Sequence, residues 1–165
     1  MNQPHQIHPS ITRANAKADQ IPQEIFPSAQ PTAAWVQSGD DIVMWGNDYL
    51  QLYINVTLQA GSPLTELYIH LGKGVGNGVF YHDLALLQED AGTIIKAVAK
   101  PLNYVIPVQA PAAGSEDSHY LLAIPINEVE VRLSLAANVD GDPADRVAVS
   151  YRRMVRDAMV PLSGP

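Results

Sequence analysis

Between residues 50 and 59 apolar and polar side chains alternate without a break. Leu50, Leu52, Ile54, Val56 and Leu58 are separated by Gln51, Tyr53, Asn55, Thr57 and Gln59. Successive side chains of a strand point to opposite faces, so this period predicts a strand with one buried and one polar face. Ala60-Gly61-Ser62-Pro63 reads as a turn, after which Leu67, Ile69 and Leu71 alternate with Glu66, Tyr68 and His70. A short Gly-containing loop between two alternating runs predicts a hairpin. The same alternation returns at Val129, Val131, Leu133 and Leu135 and again at Val147, Val149 and Tyr151.

Weaker strand patterns cover 41–45, 78–81, 93–99, 103–108 and 119–126, where Pro107 and Pro125 place the last two at an edge or end them early. Residues 84–90, Leu-Ala-Leu-Leu-Gln-Glu-Asp, predict one or two helical turns. About eight or nine short strands with closely spaced turn signals predict an all-β fold, an antiparallel β-sandwich of jelly-roll or Ig-like type.

Residues 1–34 break the pattern. Prolines at 4, 9, 22, 27 and 31 forbid a long helix or central strand, and Ile7, Ile11, Ile21, Ile25 and Phe26 recur at no steady spacing. Such a stretch buries too little apolar area alone to offset its chain entropy. It reads as an extended N-terminal arm whose five apolar residues anchor in neighbouring subunits or wrap the chain's own domain. The expected division is 1–34 arm, 35–156 sandwich and 157–165 C-terminal tail.

A chain of 165 residues and 17.9 kDa is one domain in size, and 47% hydrophobic residues suit a folded core. Charged residues make up only 16%, against about 25% in ordinary soluble proteins. The absence of cysteine excludes disulfide scaffolds, thiolate catalysis and cysteine-held zinc. A net charge of −7 opposes nucleic-acid binding driven by the overall field. No apolar run reaches the roughly 18 residues of a membrane span. Met1-Asn2-Gln3-Pro4-His5 does not read as a secretory signal, so the expected compartment is cytoplasmic, compatible with a particle assembled there.

Candidate chemistry is sparse. Gly72-Lys73-Gly74-Val75-Gly76-Asn77-Gly78 lacks the GxxxxGK spacing and following helix of a phosphate loop, and Asn77 falls where a dinucleotide fingerprint needs glycine. It reads as a loop between strands. Asn138-Val139-Asp140-Gly141-Asp142-Pro143-Ala144-Asp145 gathers three carboxylates; ordinary turn chemistry is the simpler reading and a calcium loop the alternative. His5 and His8 lack a nearby carboxylate, so neither metal nor cofactor is expected. A hydrolase could in principle assemble Ser118, His119 and Asp83, but the sequence has no nucleophile elbow, and adjacent strand residues point to opposite faces. Asn55-Val56-Thr57 matches the glycosylation sequon within a strand and reads as a chance match. Arg146, Arg152, Arg153 and Arg156 form a basic patch suited to an acidic partner subunit or to a solvated face.

The stretches Gly39-Asp40-Asp41-Ile42, Asn47-Asp48-Tyr49-Leu50, Leu52–Thr57, Val129–Ala136 and Arg146–Tyr151 together resemble the layout of tailed-bacteriophage virion proteins with a β-sandwich body. That resemblance implies a non-enzymatic particle subunit similar to capsid decoration (cement) proteins, with head–tail and tail components close behind. Its implied partners are the major capsid or other virion proteins, with a homo-oligomer (trimer or dimer) and no nucleic acid or membrane. The implied location is the virion. It transfers no site residue. A carbohydrate-binding sandwich is the competing class and would need Trp35, Trp45, Tyr53 and Tyr68 to line a common groove.

Overall fold

The computed structural model describes residues 21–81, 84–88, 95–99 and 103–155, with backbone alone at 84–88, 95–99 and 103. Every described element is a strand: β1 (Gln23–Ala29), β2 (Val36–Gln37), β3 (Ile42–Val43), β4 (Tyr49–Gln59), β5 (Glu66–Gly74), β6 (Phe80–Tyr81), β7 (Leu84–Gln88), β8 (Ile95–Ala99), β9 (Asn103–Pro107), β10 (Ser115–Pro125), β11 (Glu130–Ala137) and β12 (Arg146–Met154). Ten of them form two antiparallel sheets packed face to face, an all-β sandwich. One sheet runs β1-β12-β4-β10; the other centres on β11 and β5, with β2 and β3 along one side and β6 and β9 along the other.

The strict alternations form the core. Leu50, Leu52, Ile54, Val56 and Leu58 of β4 and Val147 and Val149 of β12 face Leu67, Ile69 and Leu71 of β5 and Val131 and Leu133 of β11. Fully burying such side chains contributes about 1.5–3 kcal/mol each by transfer, which fixes each strand's register, since a one-residue slip turns every apolar row outward.

Three expectations change. β4 and β5 are not a hairpin: β4 pairs with β10 and β12, while β5 pairs with β11, β6 and β9. Residues 60–65 arch from one sheet to the other. Alternation is the same whether two apolar rows lie side by side in one sheet or face each other across a core. Residues 84–88 are a strand paired with β8, not a helical turn. Residues 23–29, expected within the arm, form β1 at the edge of the four-stranded sheet. Pro27 is tolerated there because an edge strand bonds on one side only, and shifts in register occur between Glu24 and Phe26 and between Phe26 and Ala29.

Candidate functional site

The five proposed arm anchors divide. Ile7 and Ile11 lie outside the described residues. Ile21 is 76% exposed, Ile25 packs partly against the core, and Phe26 is buried within it. Phe26 therefore serves its own domain and is not a free anchor for another chain. The segment after β1 is also tied to that domain. The Gly141 amide donates to the Pro31 carbonyl, Gln30 Nε2 donates to the Gly141 carbonyl and the Ala33 amide donates to Asp140 Oδ1.

The loop 138–145 is thus a fastening. Asp145 is fully buried. Its Oδ1 accepts the Gln59 amide at 2.8 Å, and its Oδ2 accepts Ser62 Oγ at 2.6 Å and the Asp142 amide at 2.7 Å. Three donors compensate the desolvation of a carboxylate that would otherwise be costly to bury. Asn138 Oδ1 accepts the amides of Thr65 and Glu66. Together these hold the arch between β4 and β5 and the exit of β1. Gly141 is required by close approach, because a Cβ there would lie 2.8 Å from Pro31 Cγ and 2.9 Å from Asp145 Oδ2. Among the described residues no group of three or more His, Asp or Glu side chains could hold a metal ion.

The three described arginines, Arg146, Arg152 and Arg153, do not share one face. Arg146 and Arg152 lie on the outer face of β12, six residues or about 20 Å apart along the strand, while Arg153 has the opposite parity. Arg146 Nη1 donates to the carbonyls of Pro143 and Asp145, Arg152 Nη1 reaches Tyr53 Oη at 3.5 Å, and Arg153 Nη1 donates to the Val43 carbonyl. Arg156 lies outside the described residues. Sequence clustering brought Arg146, Arg152 and Arg153 close along the chain, and strand geometry separated them.

The glycine-rich stretch is a strand end and turn: Gly72 and Gly74 close β5, and Gly76 and Gly78 adopt φ of 86° and 77° before β6. His119 Nδ1 lies 2.8 Å from Asn55 Oδ1 across β10 and β4. Ser118 has the opposite strand parity, and Asp83, His82, His5 and His8 lie outside the described residues.

The four aromatic candidates occupy three separate surfaces. Trp35 packs on Tyr68 and His70 with ring centroids 6.5 Å and 5.7 Å away, on the outer face of the six-stranded sheet. Tyr53 lies on the outer face of the other sheet beside Gln51. Trp45, 74% exposed, stands at one end of the sandwich, beside a cleft of about 340 Å³ between residues 45–48 and 126–129. Asn47 lines that cleft. Its Nδ2 donates to the Met44 and Trp45 carbonyls, and its buried Oδ1 has no partner among the described residues.

Arg132 went unmarked in the sequence because it occupies an ordinary polar position in an alternating strand. Its guanidinium makes a two-pronged pair with Asp41 at 2.6 and 2.8 Å and lies 4.0 Å over the Phe80 ring. The hydrogen bond from Arg132 lowers the Asp41 pKa below 3.8, partial burial opposes that, and the nearby positive charge adds to it. The hydrogen bond to Glu66 raises the Tyr68 pKa above 10.0.

No protein-family model matches the chain, and no curated protein matches it.

Proposed function

We propose that this chain is a non-enzymatic structural subunit of a phage particle, a decoration (cement) protein that stabilises the shell by bridging neighbouring subunits. The observation that supports this most is the outer row of β4: Tyr49, Gln51, Tyr53, Asn55, Thr57 and Gln59, uncharged throughout. Such a row can be covered by protein without stranding an unpaired charge. The placing in a phage particle rests on the resemblance of the strand layout. Many weak contacts repeated over a symmetric lattice would then sum to firm attachment. A head–tail or tail position is the alternative within the same class.

The arm's share of that contact falls to residues 1–22, because β1 belongs to the sandwich. A chain lacking residues 1–20 is expected to fold and to lose attachment to particles purified from the host, as read by co-sedimentation. The full chain is expected in those particles at a fixed ratio to the major shell protein. Its absence from purified particles would sink the reading, and full attachment of the shortened chain would sink the role of the arm.

A binding module for a hydroxyl-rich ligand is the second reading, favoured by exposed Trp45 beside the Asn47 cleft. Tryptophan emission should then shift on titration with oligosaccharides, and Trp45→Ala should abolish that shift. An unchanged spectrum across a broad saccharide panel counts against it.

A further inference from the structure

β10 closes one long side of the four-stranded sheet, and among the described elements it pairs with β4 alone. Its register runs from Ser115↔Gln59 to Pro125↔Tyr49 with no shift. Just before that ladder the Ala60 amide donates to the Gly114 carbonyl, and just after it the Ile126 amide donates to the Asp48 carbonyl. Both pairs continue the same register, so the even-numbered residues of β10 are the ones bonded to β4. The amides and carbonyls of Ser115, Asp117, His119, Leu121 and Ala123 therefore point away from the sheet. Their side chains lie on its outer face, where Leu121 is 61% exposed.

Proteins commonly blunt such an edge with proline, lysine, a bulge or a short strand. β10 is eleven residues long, has no bulge and carries no lysine, arginine or proline before Pro125. Its charge is confined to Glu116 and Asp117 at one end, and His119-Tyr120-Leu121-Leu122-Ala123-Ile124 follow. That polarity selects the occupant. Laid antiparallel across a two-fold axis at Tyr120, two copies would set His119 opposite Leu121, Asp117 opposite Ala123 and Glu116 opposite Ile124. Free amides would then meet free carbonyls over the whole strand, making about ten ladder hydrogen bonds. The carboxylates of the two copies would stay apart, avoiding the penalty of like charges placed directly opposite.

We infer that β10 is a homodimer edge, through which a second copy of this chain extends the four-stranded sheet into one continuous sheet. The interface is isologous, as a two-fold dimer requires. Tyr120 meets its own counterpart at the axis, adding an aromatic pair on the inner face. A strand donated by residues 10–21, the proline-free stretch between Pro9 and Pro22, is the competing occupant.

Sedimentation equilibrium on the full chain tests the edge. The expected mass is twice 17.9 kDa, falling to the monomer for Leu121→Lys and for Leu121→Pro, with melting of the monomer unchanged. The proline removes an edge amide and none that bonds to β4, and the lysine leaves the backbone intact. Because the chain has no cysteine, Tyr120→Cys reports register. Residue 120 would face its counterpart in a closely spaced pair within disulfide reach, so oxidation should yield a covalent dimer. A monomeric wild-type chain overturns the inference. So does an oligomer whose mass Leu121→Lys leaves unchanged, which would assign association to residues 10–21 or another surface. A dimer that Tyr120→Cys fails to cross-link likewise overturns the self-paired edge. The inference goes beyond the particle reading: a dimer that ignores phage shells would sink that reading and leave this one standing.

Discussion

The two edges of the four-stranded sheet solve the same problem in opposite ways. β1 is seven residues long, carries Pro27 and changes register twice. Its exit is held by the loop 138–145, and Phe26 sinks its ring into the core. β10 is eleven residues long, without a shift in register, and held only by β4 among the described elements. Proline and bulges make β1 a poor template for further pairing, whereas β10 presents an unbroken row of donors and acceptors. The comparison shows that proline density along a chain is an ambiguous signal. It marks an arm that leaves the domain, and it equally marks a strand that ends a sheet.

Removing residues 1–34 breaks this comparison most severely, since it strips β1, exposes Val147 and Val149 and takes away Phe26. The expected result is loss of cooperative thermal unfolding, whereas removal of residues 1–20 should leave the melting temperature unchanged. A stable fold without 1–34 would refute the structural role of β1. Phe26→Ala isolates the anchor and should cost about 3 kcal/mol, in the range of large-to-small core changes, measured by urea denaturation. Asp145→Ala loosens the fastening that β10 lacks. It leaves the Gln59 and Asp142 amides and the Ser62 hydroxyl without their acceptor, for about 2–3 kcal/mol. Leu121→Lys should change monomer stability by no more than about 0.5 kcal/mol, as for an ordinary surface substitution, so that any change in mass reports the edge itself.

The smallest expected effect is electrostatic and lies outside both edges. The depressed Asp41 pKa means that its pairing with Arg132 contributes stability above about pH 3.8, lost as pH falls through the lower folded-state value. Asp41→Asn should therefore flatten the acid limb of the stability profile below about pH 4. The pair is about a third exposed, so added salt should shrink the difference. An identical acid limb in both proteins would count against the pairing.

The strands of the core were legible because strict alternation has only one physical reading: Leu50–Leu58, Leu67–Leu71, Val131–Leu135 and Val147–Val149 each need one buried face. Of the two-residue strands, β3 and β6 fall inside the weak patterns at 41–45 and 78–81, and β2 was too short to show a period. The strand at 84–88 was hidden because a run such as Leu-Ala-Leu-Leu suits a helix turn and a strand alike. At the candidate surfaces, Trp45 was visible as a residue but not as an exposed one, and Asp145 read as one of three loop acids. Nothing local marks which carboxylate will be enclosed.

By itself the sequence determined the all-β class, the buried row of each long strand and the uncharged outer row of β4, because a period of two acts residue by residue. Only the tertiary structure decided that β4 and β5 face each other across the core, that Phe26 turns inward and that the arginines of β12 point apart. It also decided which strand stands open at the edge. Those outcomes depend on what packs opposite each row and on which donors reach Asp145, and both are set by contacts between residues far apart in the chain.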